Sequence, residues 1–176
     1  MRKVKFSAAN SLDNYIARKD GAFDWILWSE ETTSFMKDFW KTIDTLAIGR
    51  KTYEVALKHG GGSTPYHPGV KTYVFSRTLE EGQAKNTEVI RTDAAEFVRE
   101  LKNQDGKDIF VMGGGELAKS LFEANLIDEV SLAIHPMLLG SGIPLFHEMK
   151  QQINLELIEC KSLKNGCVRV AYRMKP

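Results

Sequence analysis

The stretch IFVMGGGELAKSLF, residues 109–122, decides the fold. Its four apolar residues between Asp108 and Gly113 predict a buried strand, and the apolar residues of 116–122 recur at helical spacing. Three glycines therefore lie at a corner between a strand and a helix. Backbone amides and the positive end of the helix dipole meet at such a corner, where glycines let a pyrophosphate approach the backbone. The alternative is a tight turn whose glycines only permit a positive φ.

The same run fits the dinucleotide fingerprint G-x-G-x-x-A through Gly113, Gly115 and Ala118. In a simple Rossmann fold that fingerprint belongs to the first βαβ unit, and an acidic residue follows it by about 20 residues. Here the glycines come late in the chain, and the next predicted strand ends near His135 and Pro136. The order of the motifs therefore argues against a simple Rossmann fold.

Composition favours a single domain over residues 1–176, because a chain of this length with 43% hydrophobic residues can bury a substantial core. Lys and Arg number 24 against 23 acidic residues, and this balance gives no signal for nucleic acid or an anionic membrane. No apolar stretch approaches the roughly 20 residues that cross a bilayer, and no secretion signal is recognisable. The predicted location is cytoplasmic.

Cysteine and histidine spacing predicts no metal site. Cys160 and Cys167 flank a predicted hairpin turn at residues 164–166 and are expected to be reduced thiols that face each other across it. The four histidines show no metal-ligand spacing. His135 has two interpretations, a hydrogen-bonded residue at the end of a strand or a residue that lines a pocket.

Hydrophobic periodicity predicts elements in the order β-α-β-α-β-β-α-β-α-β-β-β, with a loop at residues 59–65. The alternation predicts a largely parallel sheet with helices on both faces, and the last strands predict an antiparallel hairpin. The aromatic stripe of the first helix is interpreted as core. The predicted strands are residues 4–9, 45–48, 72–75, 88–90, 109–112, 129–139, 155–161 and 168–174, and the predicted helices are 29–43, 51–57, 94–102 and 116–122.

Three of these strands end in groups suited to anions, namely Gly49 and Arg50, Ser76 and Arg77, and the three glycines. The carboxyl ends of parallel strands share one edge of a sheet, where ligands of open α/β folds bind. This arrangement suits a pyrophosphate at the glycines and a ribose 2′-phosphate between the two guanidinium groups. The alternative is that both arginines are solvated surface residues.

Several segments together resemble the dihydrofolate reductase-like fold: VKFSAANSLDNYIA (4–17), LAIGRKTYE (46–54), YVFSRT (73–78), IFVMGGGELAKSLF and IHPMLLGSGIPLF (134–146). The motifs SLD-x-x-IA and P-x-LLG-x-GIPLF bring the chain closest to the C-terminal reductase domain of the riboflavin-biosynthesis deaminase-reductase and its stand-alone relatives. The resemblance implies a three-layer α/β fold with a mostly parallel eight-stranded sheet. It also implies NADPH as cofactor and a cis peptide bond between Gly113 and Gly114.

The resemblance also implies roles for individual residues of the cofactor site. Two apolar side chains would frame the nicotinamide, and the remaining groups would bind the phosphates. These residues are Ala9, Ile16, Gly49, Arg50, Thr52, Ser76, Arg77, Gly113, Gly114, Gly115, Glu116 and Leu117.

The resemblance is weaker on the substrate side. Reductases of dihydrofolate place a carboxylate early in the first helix and a threonine on a later strand, and the corresponding positions here are Thr33 and Ala133. Asp13, in the loop over the nicotinamide, is the first candidate for a catalytic polar contact. Asp24 and Glu30 are weaker candidates. With Glu31 they are nearby acids that a small gap in the alignment would bring to the carboxylate position, and the alternative is that they are helix N-terminal charges that favour the dipole. Trp25, Trp28 and Phe35 either wall a flat heterocycle or belong to the core.

These observations favour a reductase that uses NADPH to transfer hydride to a small heterocycle, a pyrimidine or pterin relative. The alternative is a module that binds NADPH without efficient turnover. A nucleic-acid binder is disfavoured because the chain lacks a basic surface. The resemblance further implies a homodimer.

Overall fold

The computed structural model describes residues 1–59, 67–80 and 87–175. The strands of this part are β1 (Val4–Ser11), β2 (Tyr15–Ala17), β3 (Ile43–Gly49), β4 (Lys71–Phe75), β5 (Thr87–Ile90), β6 (Asp108–Gly113), β7 (Glu129–His135), β8 (Ile143–Pro144), β9 (Leu155–Ser162) and β10 (Val168–Met174). The helices are α1 (Glu30–Lys41), α2 (Arg50–His59), α3 (Ala94–Asn103) and α4 (Gly115–Glu123).

Eight of the strands form one sheet in the order β5-β4-β3-β6-β1-β7-β10-β9. Pairing is parallel from β5 to β7, and β10 and β9 add antiparallel strands at one end. The predicted mostly parallel sheet with a C-terminal antiparallel hairpin is confirmed. Because the strands from β5 to β7 run in one direction, their carboxyl ends meet at one edge.

Apolar side chains cover the sheet in two clusters. One cluster joins α3 and α4 to the sheet through residues such as Val98, Leu121 and Val111, all fully buried. The other joins α1 and α2 through Tyr53, Leu46 and neighbouring residues. Helices therefore lie on both faces, and the molecule has three layers.

Polar groups fix the opposite, amino-terminal edge of the sheet. Lys102 Nζ lies 2.6 Å from the carboxylate of Asp128, which also accepts a hydrogen bond from the Val4 amide at 2.7 Å. The Arg2 guanidinium is buried and pairs with Asp44. Both buried cations have partners, as burial of charge requires.

Two predicted elements end earlier in the structure. Helix α1 begins after its N-cap Ser29, whose hydroxyl accepts from the Thr32 amide at 3.2 Å, but it ends at Lys41 instead of residue 43. Ile43 is instead the first residue of β3 and is buried in the second cluster. Strand β7 ends at His135 and not at residue 139, because Pro136 has no N–H for the ladder.

Strands β2 and β8 were not predicted. They have three and two residues, and they form a separate two-stranded sheet. The cysteines do not face each other as expected, because Cys160 pairs with Val170, and Cys167 precedes β10. Residues 60–66, which hold most of the predicted loop, lie outside the described part. No helix among the described residues is long and apolar enough to cross a membrane.

Candidate active site

A large cleft opens at the carboxyl edge of the sheet and has a volume of about 1820 Å³. A pocket for one drug-sized ligand typically has roughly 300–1,000 Å³, so this cleft has room for more than one ligand. Its lining brings together every residue of the predicted cofactor set: Ala9, Ile16, Gly49, Arg50, Thr52, Ser76, Arg77, Gly113, Gly114, Gly115, Glu116 and Leu117. The structure thus supplies one continuous candidate site for them.

The glycine corner is built by close approach of two backbones. The Gly113–Gly114 peptide bond is cis, as the resemblance implied, and Gly113 has φ of 119°. A Cβ on Gly49 would lie 2.9 Å from the Gly114 backbone nitrogen. The ends of β3 and β6 can therefore meet only without a side chain at Gly49.

Helix α4 begins at this corner. Gly114 provides no side-chain cap, and the Ala118 amide makes the first backbone bond, 3.0 Å to the Gly114 carbonyl. The amides that precede it have no acceptor within the helix and are oriented with the positive end of the dipole. Glu116 is 82% exposed in its side chain and pairs with His147 Nδ1 at 2.9 Å. The corner is therefore suited to an anion.

The two arginines of the strand ends have different partners. Arg50 Nη1 lies 2.8 Å from Glu54 on the next turn of α2. Arg77 makes no side-chain hydrogen bond or ion pair with another residue of 1–59, 67–80 or 87–175. Ser76 Oγ accepts from the amides of Thr78 and Leu79 at 3.2 and 3.0 Å, which fixes the turn that carries Arg77.

Helix α1 forms a wall of the cleft and has no buried residue. Phe35 and Met36 line the cleft, whereas Phe39 packs edge-on against Phe110 of the core with ring centroids 5.0 Å apart. Interpretation of the whole aromatic stripe as core is therefore wrong for the part that faces the cleft. Trp25 is buried and Trp28 is 71% exposed at the cleft.

Neighbouring strands form the floor of the cleft beside α1. Ser131, Ala133 and His135 alternate along β7 and line the cleft together. Ala133 lies beside Ala9 of β1 and beside Arg169 of β10. The Arg169 guanidinium lies 4.0 Å from the centroid of the Phe35 ring. These groups make a compartment with an aromatic wall and a mixed polar floor.

Three carboxylates predicted to act in catalysis do not line the cleft, although all three belong to the described residues. Asp13 accepts a hydrogen bond from the Ser11 hydroxyl at 2.6 Å and from the amides of Leu139 and Gly140 at 3.0 and 2.7 Å. These bonds, that from Ser11 above all, hold the pKa of Asp13 below its ordinary value. Asp13 thus ties the loop after β1 to the segment after β7.

Asp24 pairs with Arg18 at 2.8 Å, and this hydrogen bond lowers the pKa of Asp24. Glu30 is exposed in the first turn of α1. Glu31 does line the cleft, and its carboxylate accepts from the Lys164 amide at 2.9 Å. The catalytic roles of Asp13, Asp24 and Glu30 stay predictions.

Sequence reasoning did not identify several groups that line the cleft, including Arg169, Glu159, Lys161 and His147. Arg169 forms an ion pair with Glu159, and its side chain is only 16% exposed. Alternation within the predicted strand 168–174 puts Arg169 on the face opposite to Val168 and Val170. The sequence therefore did indicate which face of the strand Arg169 occupies. No comparable signal precedes His147.

Comparison with known sequences identifies one family over most of the chain. The family model for the RibD C-terminal domain matches residues 2–169. The Bacillus subtilis protein YwjB is 37% identical over 159 residues, which cover 89% of each chain. YyaP of the same organism is 34% identical over 181 aligned positions, covering 97% of this chain and 94% of YyaP.

Comparison with solved structures confirms the resemblance in fold. A Shewanella sp. PV-4 protein named for riboflavin biosynthesis has a TM-score of 0.85 at 24% identity, with both chains fully covered. Dihydrofolate reductase from Enterococcus faecalis, complexed with NADP(H), has a TM-score of 0.70 at 18% identity and covers 99% and 97% of the two chains. The Thermotoga maritima pyrimidine deaminase/uracil reductase has a TM-score of 0.73 at 16% identity, and the match covers 99% of this chain and 57% of that one.

Proposed function

The chain belongs to the RibD C-terminal domain family, and we propose that it is an NADPH-dependent reductase of a small heterocycle, a pyrimidine or pterin relative. The observation that carries this proposal is the convergence of the glycine corner, Arg50, Ser76 and Arg77 on one cleft that continues into a separate aromatic compartment. The fold and family support a pyrimidine reductase-like role.

The residues at one end of the cleft fit a phosphorylated dinucleotide. The backbones of Gly49 and Gly114 meet with no side chain between them, and the first amides of α4 are available to donate hydrogen bonds to a pyrophosphate. The Arg77 guanidinium has no hydrogen-bond or ion-pair partner in the part of the chain that the structure describes, and Arg50 lies at the neighbouring strand end. A guanidinium binds a ribose 2′-phosphate in bidentate geometry.

NADPH would supply the hydride. The work of the chain is to hold the acceptor carbon against the cofactor and to exclude water. Ala9 and Ala133 are small neighbours on the floor, so the backbone of β1 and β7 can approach a flat ring closely. Phe35 and Met36 cover that ring from α1. The proton comes from water or from a carboxylic acid, for which Asp13, Asp24 and Glu30 remain candidates.

Titration of the purified chain with NADPH and NADH tests the cofactor assignment through quenching of tryptophan fluorescence. Arg77→Ala removes a charged hydrogen-bond donor worth about 1.5–3 kcal/mol, or roughly 10- to 150-fold in affinity. We expect this loss for NADPH and little change for NADH. Arg173→Ala is the matched control, because Arg173 pairs with Glu156 outside the cleft. Failure of the wild type to bind either cofactor contradicts the proposal.

The second candidate is a module that binds NADPH without efficient turnover. Reductases of dihydrofolate place a carboxylate at the position that counting assigns to Thr33 and a threonine at the position of Ala133, and the absence of both groups favours this candidate. NADPH oxidation in the presence of pyrimidine and pterin substrates separates the two functions. Binding without oxidation of any substrate in the panel supports the module.

Assembly as a homodimer is also part of the proposal. Strand β9 lies at the edge of the sheet, and all eight of its residues are exposed. An uncovered edge strand presents unpaired backbone groups and is available to a second chain. Sedimentation of the purified chain tests this, and a monomer at all concentrations contradicts it.

A further inference from the structure

His135 is a buried histidine whose ring has one nitrogen fully engaged. Only 3% of the residue is exposed. The Leu27 amide donates to His135 Nδ1 at 3.2 Å, and Cys167 Sγ lies 3.3 Å from the same nitrogen. The Trp25 ring packs edge-on at a centroid distance of 5.3 Å. These contacts fix both the position and the orientation of the imidazole.

The contacts also fix where its proton lies. A backbone amide can only donate, so Nδ1 must accept and carries no hydrogen. Burial lowers the pKa of His135, which disfavours the imidazolium. A neutral imidazole with an accepting Nδ1 carries its hydrogen on Nε2. The thiol of Cys167 is also neutral, because burial raises the pKa of Cys167.

Nε2 is the nitrogen left for a ligand. His135 lines the cleft on the same face of β7 as Ala133. It pairs with Ser11 of β1, two residues further along the strands than the pair of Ala133 and Ala9. Two residues along a strand span about 6–7 Å, the breadth of a fused heterocycle. Within residues 1–59, 67–80 and 87–175, Nε2 has no hydrogen-bond partner.

We propose that His135 is a specificity-determining residue whose Nε2–H donates a hydrogen bond to an oxo group of the heterocyclic substrate. This inference rests on the proposed function, because it places the substrate ring over Ala9 and Ala133. A fixed donor at this position favours a ring that presents an oxygen there and disfavours one that presents an amino group.

Two ligands of one shape test the preference: lumazine, which carries two oxo groups, and its diamino counterpart, in which amino groups replace both. Each is titrated with and without saturating NADP⁺. We expect the wild type to bind lumazine at least about tenfold more tightly, as one buried hydrogen bond contributes about 1.5 kcal/mol. His135→Leu should lose that preference, and His135→Gln, which keeps an N–H donor, should retain most of it. Equal affinities in the wild type, binding of neither ligand, or an unchanged preference in His135→Leu overturns the inference.

Long-range proton–nitrogen NMR of the histidine side chains provides a readout that needs neither turnover nor a ligand. We expect His135 in the Nε2–H form at neutral pH, and either the Nδ1–H form or an imidazolium overturns the inference. Circular dichroism confirms that the variants are folded. If the chain prefers lumazine but NADP⁺ does not change its affinity, the proposed function is contradicted and the inference about His135 is not. The failure of one can therefore be distinguished from the failure of the other.

Discussion

The two ends of the cleft are built differently. The cofactor end is made of backbone: Gly49 against Gly114, the uncapped start of α4, and strand ends that carry arginine. The substrate end is made of side chains from α1, β7 and β10, such as Phe35, His135 and Arg169. A site made of backbone can be recognised in the sequence by its glycines. A site made of side chains is harder to recognise, because it depends on the register between strands that are distant in the sequence. The following substitutions separate the two ends.

Gly49→Ala should have the largest effect, because its Cβ would lie 2.9 Å from a backbone nitrogen that cannot rotate away. We expect a destabilisation of about 1–3 kcal/mol, as overpacking typically causes, and an NADPH affinity lowered by at least about 100-fold. Denaturant unfolding and cofactor titration measure both. Gly69→Ala is the control, since Gly69 has a φ of 87° that any side chain strains, but it has open space around it and does not line the cleft. Similar losses of NADPH affinity in both variants contradict a specific role for the corner.

The pH dependence of the free energy of unfolding should report the protonation state of His135, which lies at the substrate end. Above the ordinary pKa of 6.5 the ring is neutral in both the folded and the unfolded chain. Below it the unfolded chain takes up a proton that the folded chain resists, so the free energy of unfolding falls as pH decreases. The slope from this group is at most about 1.4 kcal/mol per pH unit.

His135→Leu should remove that part of the slope between pH 6.5 and the lowered folded pKa. His147→Gln at the cofactor end is the matched control, since His147 is about one-third exposed in its side chain. Urea unfolding over a series of pH values measures the difference. A slope that His135→Leu leaves unchanged shows that the ring is not held neutral.

Phe35→Ala should have a smaller effect on stability. The ring lies in the cleft and faces the Arg169 guanidinium, and a cation–π contact of this kind contributes about 0.5–2 kcal/mol. We expect a destabilisation of about 1 kcal/mol, weaker binding of lumazine and an unchanged NADPH affinity. Leu121→Ala, in the core, sets the scale at about 2–5 kcal/mol. A large loss of NADPH affinity in Phe35→Ala would show that the two ends are not independent.

Asp13→Asn should have the smallest effect. Its carboxylate accepts from the amides of Leu139 and Gly140, so we expect those amides to exchange several-fold faster with solvent while NADPH affinity is unchanged. Asp24→Asn, which breaks only the exposed pair with Arg18, is the control and should leave these amides unaffected. Hydrogen exchange read by NMR measures both. A loss of turnover in Asp13→Asn without faster exchange would favour the catalytic role predicted from sequence.

Sequence patterns predicted the main sheet well because central strands such as β3 and β6 are largely buried apolar runs that end in glycine, and because the last two strands alternate on either side of a predicted hairpin turn. They missed β2 and β8 because two or three residues carry no periodicity, and because Tyr15 pairs with Pro144, which lies far from it in the sequence. The end of β7 was placed too late, since the apolar residues Met137 and Leu138 extended the pattern beyond Pro136.

The residues of the candidate site also divide into those that local sequence patterns identify and those that they do not. Gly113, Arg50 and Arg77 were identified because each follows a strong strand signal. Arg169 was not identified because its place beside Ala133 is a matter of register between β7 and β10. Ala133 lines the cleft, whereas Thr33 does not and Glu31 does. No pattern in the sequence shows that the Leu27 amide would orient the ring of His135.

The central place of β1 has a consequence for the order in which the chain folds during synthesis. Val4 pairs with Ile109 on one side, and Lys5 pairs with Glu129 on the other. At roughly 5–20 residues per second, a ribosome needs on the order of 5–20 s to make the residues between β1 and its first partner. Through that interval β1 has neither neighbour, and both ends of the cleft stay incomplete. The nascent chain therefore exposes an apolar strand that chaperones can bind until β6 and β7 emerge.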